Sequence, residues 1–163
     1  MREVPSNMVA EQSVIGAMLL SKFALQKACD SLTSESFYFD SNAKIFETIK
    51  WMNSQDIPLD TTTLTTELKN KGLLDRVGGI EYLTELFTIV PTAANVDQYI
   101  KIVQDNAILR HLIEVSNDIT KAAYDGNQEI SVTLDEAERK ITSVVKDRRS
   151  TEFRDIREVL KIT

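Results

Sequence analysis

The stretch NVDQYIKIVQDNAILRHLIEVSNDITKAAYDG, residues 95–126, decides how this chain is read. Its apolar positions Val96, Ile100, Val103, Ala107, Leu112, Val115, Ile119 and Ala123 advance by three or four residues with a single step of five, the period of one face of an α-helix. Asn95 followed by Gln98 is a capping-box start, and Gly126 is the residue type that ends a helix in a left-handed conformation. A second periodic run follows at Ile130, Leu134, Ala137, Ile141 and Val144, with Thr133 and Glu136 in another capping-box pattern. Two long helices joined near Gly126 make an antiparallel hairpin. A lone pair of helices leaves an apolar flank uncovered, so this hairpin is predicted to pack on another element or another chain.

Upstream, the signals are those of short helices. Val14, Ile15, Met18 and Leu19 recur at helical spacing beside the small Gly16 and Ala17, which reads as a buried first helix. Phe23, Leu25, Ala28, Cys29 and Leu32 form a broad face on a second. In FYFDSNAKIFETIKWM, Ile45, Phe46, Ile49 and Met52 line one stripe with Trp51 at its edge, and Asp40 is placed to cap the helix. Asp60 caps a further helix carrying Leu64 and Leu68 that Gly72 should end. After the Gly78-Gly79 turn comes a helix with Tyr82, Leu83, Leu86 and Phe87, stopped by Pro91. The expected architecture is all-α: a globule of five or six short helices over residues 1–93, a long helical hairpin over 94–148, and a linker over 149–163. Within that last part, Lys146–Asp155 loses apolar periodicity, and DIREVLKI forms one or two helical turns.

Composition bounds the function. The 163 residues are 42% hydrophobic, enough to bury a core, and they contain only five glycines and three prolines. The net charge is −6, with 8 basic against 12 acidic residues up to residue 90 and 11 against 13 beyond it. Neither half carries the basic footprint of an autonomous nucleic-acid binder. The single Cys29 cannot form an internal disulfide, no apolar run approaches membrane-spanning length, and MREVPSNMVAEQ lacks the pattern of a signal peptide. A soluble cytoplasmic protein is expected.

The order of segments carries a resemblance. AEQSVIGAMLL, FYFDSNAKIFETI, IPLDTTTLTTEL, VGGIEYLTEL and VPTAANVDQYIKIVQDNAILRHLI follow one another along nearly the whole chain. The series is similar to the N-terminal region of bacterial DnaB-type replicative DNA helicases. That resemblance implies a helical globule, a hairpin and a linker helix leading to a RecA-like ATPase that binds ATP and Mg²⁺. It implies a collar in a hexameric ring built from hairpin-mediated dimers, docking of DnaG-type primase, and in some bacteria contact with a helicase loader. The implied contact positions are Tyr82 on the GGIEYL helix and Ile113 and Ile119 on the hairpin, with Ile141 in the hairpin's apolar seam; ordinary core packing is the competing reading of each. The chain departs from the family at Val9, where a carboxylate is common, and at Phe39 and Asn42, where Arg and His are common. The first change removes a charge from the surface that resembles the primase contact.

Catalytic motifs are missing from the sequence. No GxxxxGK[ST] loop is present to cradle a nucleotide phosphate, so the chain alone is expected neither to hydrolyse ATP nor to unwind DNA, and no cofactor or metal is expected in it. His111 has no second histidine or cysteine nearby for zinc and reads as a surface or interface residue. Asp135, Glu136 and Glu138 are explained by the positive end of a helix dipole. Lys146, Arg148 and Arg149 form one basic run that suits a solvated helix end better than a nucleic-acid contact. The alternative function is a DNA-binding adaptor: TTLTTELKNKGLLDRVGGIEYL mimics a helix-turn-helix with Lys69, Lys71 and Arg76 as phosphate contacts. Its reading helix would carry Ile80, Tyr82, Leu83, Leu86 and Phe87, mostly core chemistry. A small helical enzyme would need convergent titratable groups that the sequence does not offer.

Overall fold

A computed structural model describes residues 2–162, with side-chain surroundings over residues 2–149. Seven α-helices and one 3-10 turn, Ser34–Ser36, account for its regular structure, and there is no strand among the described residues. In order the helices are α1 Met8–Leu20, α2 Lys22–Ser31, α3 Asp40–Ser54, α4 Thr61–Asn70, α5 Gly79–Thr88, α6 Val96–Asp125 and α7 Ile130–Ile162. The chain forms two compact units, one from Ser6 to Ala107 and one combining the chain start through Pro5 with the chain from Ile108 onward.

The first unit is organised around α1. Asn7 caps it by accepting a 2.9 Å hydrogen bond from the Ala10 N–H. The helix is buried on nearly every side, from Ala10 through Met18, and packs on α2, α3 and α5. Gly16 makes the α5 approach possible: a Cβ there would lie 2.6 Å from Ile89 Cγ2 and 3.1 Å from the Leu86 carbonyl oxygen. Ile45, Phe46, Ile49 and Met52 of α3, Leu64 and Leu68 of α4, and Leu83 and Leu86 of α5 complete one continuous core. The apolar stripes read from the sequence are the faces that meet there, except that Phe23, read onto the face of α2, is 72% exposed at the helix start. Val96, Ile100 and Val103 also belong to this core. The boundary expected at residues 93/94 therefore falls at the start of a helix whose first turns are buried in the globule.

Helix ends follow local chemistry where the partner lies close in sequence. Asp60 caps α4 through a 2.8 Å bond from the Thr63 N–H, with the Thr63 hydroxyl accepting from the Asp60 N–H in return. Gly72, at φ +70°, ends α4, and Leu73 N–H reaches back to the Leu68 carbonyl at 2.8 Å, as in a Schellman motif. Gly126, at φ +57°, follows α6. Asp40 differs from expectation. It is the first residue of α3 rather than its cap, the capping position belongs to Phe39, and the Asp40 carboxylate instead receives the Arg76 Nε–H at 2.9 Å.

In the second unit, α6 from Ile108 onward and α7 run antiparallel. Two side-chain contacts join them: His111 Nδ1 lies 2.9 Å from the Asp147 carboxylate, and Lys140 pairs with Asp118 at 4.0 Å. Val115 and Val144 are the buried apolar residues between these pairs. Arg110 Nη1 donates to the Pro5 carbonyl at 2.9 Å, tying the chain start to the hairpin. α7 begins at Ile130, where the Glu129 carbonyl accepts from Val132 and Thr133, so Thr133 lies inside the helix instead of capping it. α7 also continues through Lys146–Asp155, where a linker was expected. That stretch contains no glycine or proline, and its Lys, Arg and Glu residues lose little rotamer freedom in a helix, so nothing local stops it.

Candidate partner surfaces

Tyr82, the first position the sequence singles out, is half-buried on α5. It is held by a polar cluster inside the first unit. The Tyr82 hydroxyl donates to Asn42 Oδ1 and accepts from Gln12 Nε2 at 3.2 Å. Asn42 Nδ2 donates to Glu11 Oε1 at 3.0 Å, and Glu11 also accepts from the backbone N–H groups of Tyr38 at 2.8 Å and Phe39 at 3.4 Å. Glu11 is only 2% exposed, so these donors stand in for water around its carboxylate. Gly78 supports the arrangement from the chain side. It sits at φ +112°, and a Cβ there would come within 2.9 Å of Tyr82 Cβ. Burial pushes the Tyr82 phenol above its ordinary pKa; the Gln12 hydrogen bond opposes this, while the charges of Glu85 and Glu11 add to it.

The outer side of this cluster is a shallow depression lined by Met8, Ser41, Val77, Tyr82, Glu81 and Glu85. Val9 and Ile80 are both exposed, and Val9 is 67% so. The globule therefore offers water a half-buried aromatic ring together with apolar and acidic side chains. Sequence reading singled out Tyr82 but missed Glu11 and Gln12 entirely. The available signal was a carboxylate in AEQSVIGAMLL, a helix otherwise built of buried small and apolar residues.

Ile113, Ile119 and Ile141 all lie in the second unit. Ile119 is half-buried, while Ile113 is 42% and Ile141 40% exposed. Leu109, Leu112, Ile130, Leu134 and Val145 are exposed as well. The apolar flank expected of an unaccompanied hairpin is therefore present, and from Ile108 onward Val115 and Val144 alone among the described hydrophobics are buried.

The remaining candidates gain no chemistry from the fold. The helix-turn-helix reading is disfavoured by its own residues: α5 commits Leu83 and Leu86 to the core, Arg76 is engaged by Asp40, and the Lys71 ammonium lies 4.5 Å from the centre of the Trp51 ring. His111 sits against Asp147. Asp135 and Glu138 line a shallow surface along α7 with Arg139 and Lys146. Among the described residues there is no group of His, Cys, Asp and Glu that could hold a metal ion, and no helix long and apolar enough to cross a membrane. Cys29 is partly covered, and burial raises its thiol pKa despite the opposing charge of Lys50.

Comparison with known proteins agrees with the residue pattern. The family model described as the DnaB-like helicase N-terminal domain matches residues 3–105. The chain is 40% identical over 156 residues to the replicative DNA helicase DnaC of Bacillus subtilis, which covers 96% of this chain and 34% of that protein. It has the same identity over the same length to the replicative DNA helicase DnaB of Geobacillus stearothermophilus. The chain thus spans about a third of the length of these curated relatives. The crystal structure of the N-terminal domain of DnaB helicase from Mycobacterium tuberculosis aligns with a TM-score of 0.82 at 35% identity, covering 86% of this chain and 99% of that one. The fold is also shared, at 22% identity and a TM-score of 0.70, by a DnaB-like replicative helicase whose structure was described with its interactions with primase. This chain belongs to the family of DnaB-like helicase N-terminal domains.

Proposed function

We propose that this chain is a non-catalytic collar region of a replicative DNA helicase, organising the ring through its hairpin and docking a DnaG-type primase through both units. The observation that carries the reading is the hairpin's apolar flank: Leu109, Leu112, Leu134, Ile141 and Val145 remain exposed in the single chain. Covering such a surface removes apolar area from water and stabilises association by roughly 25 cal/mol per Å² before the cost of lost freedom. A second copy of the same hairpin is a self-complementary occupant under two-fold symmetry. Such dimers build a hexameric ring in the full-length helicase, where residues 149–163 lead to the ATP- and Mg²⁺-binding motor. That protein acts in the cytoplasm, and its collar is a candidate contact for a helicase loader in bacteria that use one.

Primase docking draws on Tyr82, Ile113 and Ile119. An aromatic ring with a polar tip beside apolar surface is the chemistry enriched where binding energy concentrates. The acidic rim of Glu81 and Glu85 favours a basic partner face and selects against acidic ones. Titration calorimetry of the chain with the C-terminal domain of the cognate primase tests this reading. Saturable binding that Tyr82→Ala weakens by about tenfold or more is expected, the loss of one good anchor. Absence of binding, or binding that ignores Tyr82→Ala and Ile113→Ala alike, contradicts the docking role.

A further inference from the structure

The cluster around Tyr82 has a direction. A carboxylate offers acceptors only, and Glu11 Oε1 takes the Asn42 Nδ2–H at 3.0 Å. With its amide nitrogen committed there, Asn42 presents Oδ1 to Tyr82, and a carbonyl oxygen can only accept. The Tyr82 hydroxyl must then donate, which leaves its lone pairs to receive Gln12 Nε2 at 3.2 Å. Each donor points inward along one line, from Gln12 through Tyr82 and Asn42 to Glu11, and bonds in such a chain polarise one another. Asn42 and Glu11 are both buried, at 0% and 2% exposure, so water cannot replace a missing member at the inner end. Among the buried side-chain polar atoms that are described, none lacks a partner.

We infer that Asn42 and Glu11 are positioning residues of the docking surface: by fixing the hydroxyl inward they hold the ring of Tyr82, in the depression it shares with Glu81 and Glu85, in one presented orientation. This rests on the docking reading and extends it to two residues that no partner would touch. The order of donors and acceptors specifies what can replace Asn42. Histidine in its neutral form also offers one donor and one acceptor, so it can sit in the same line; leucine offers neither.

The test is a double-mutant cycle in binding of the cognate primase C-terminal domain at pH 8, with each variant's thermal melt measured in parallel. A ¹³Cζ-tyrosine NMR signal for residue 82 reports the hydroxyl's hydrogen bond directly. Tyr82→Phe and Asn42→Leu are each expected to weaken binding by about tenfold, the double variant no more than the weaker single, and Asn42→His to return to within about threefold of the original. The Tyr82 signal should move in Asn42→Leu and be restored in Asn42→His. Additive losses, or an Asn42→Leu protein that melts earlier but binds primase unchanged, would overturn the inference. Should Asn42→Leu fail to fold, Asn42→Ala, which likewise offers neither donor nor acceptor, takes its place in the cycle under the same criteria. If the unmutated chain does not bind primase at all, the docking reading itself falls, a result distinct from additive losses in a chain that binds.

Discussion

Gly16→Ala sets two opposed effects against each other at the α1–α5 crossing. Gly16 is helical, and alanine there should gain about 1 kcal/mol in helix propensity. Against this, the new methyl would lie 2.6 Å from Ile89 Cγ2, 3.3 Å from Val90 Cγ2 and 3.1 Å from the Leu86 carbonyl oxygen. Ile89 is half-buried and can turn aside, at roughly 1 kcal/mol for an off-rotamer side chain. The carbonyl belongs to the α5 backbone and moves only if the helices separate, so overpacking adds about 1–3 kcal/mol. The cost exceeds the gain, and a net loss of about 1–3 kcal/mol is expected. Urea denaturation measures it as a lower midpoint at unchanged slope. Ile89→Ala, which removes the nearest atom, should absorb part of the loss, so the double variant is less destabilised than the two singles added. Gly16→Ala as stable as the original, or strictly additive with Ile89→Ala, would refute the close approach of α1 and α5.

Three further outcomes are expected. Ile141 is 40% exposed in the single chain, so Ile141→Asp should cost under about 1 kcal/mol of folding stability while abolishing self-association, because a charge then faces the apolar seam; thermal melts paired with sedimentation velocity separate the two effects, and an unchanged sedimentation profile removes Ile141 from the seam. The folded-state pKa of Tyr82 is raised, so its contribution to stability is complete below the unfolded phenol value of about 10 and is lost as pH climbs through the folded value. Urea midpoints from pH 8 to 11 should therefore fall less steeply in Tyr82→Phe than in the original, and parallel curves would contradict the assignment. Cys29 is partly covered and its thiol pKa is raised, so at pH 8 it should react with a disulfide reagent more slowly than free cysteine and at the free rate once the chain is unfolded in urea; equal rates before and after unfolding would contradict its burial.

What could be read in the sequence is what depends on near neighbours. Asp60, Gly72 and Gly126 act within a turn of their own position, and each ends or begins a helix where its chemistry requires. The stripe of Ile45, Phe46, Ile49 and Met52 is likewise local, because helical geometry alone puts those side chains on one face. Asp40 failed as a cap because its position lies one residue inside the helix, and the partner it finds, Arg76, is 36 residues away. The Thr133–Glu136 pattern failed for the converse reason: a capping motif does not start a helix already begun by the Glu129 carbonyl. Glu11 was illegible for a stronger reason still. The donors that make its burial tolerable, the Tyr38 and Phe39 amides and Asn42, come together only once α1 and α3 are packed. Tyr82 was found through family resemblance, while the residues that hold it emerge only from the fold.

The collar and docking roles are tested most directly by the light-scattering mass of the chain across a concentration series, alone and with the C-terminal domain of its cognate primase. Hairpin-mediated pairing gives a mass that rises with concentration from monomer towards dimer, and a docking collar gives a further stable species when primase is added. A chain that stays monomeric throughout and leaves the primase mass unchanged would contradict the collar and docking roles together, while leaving its family membership in place.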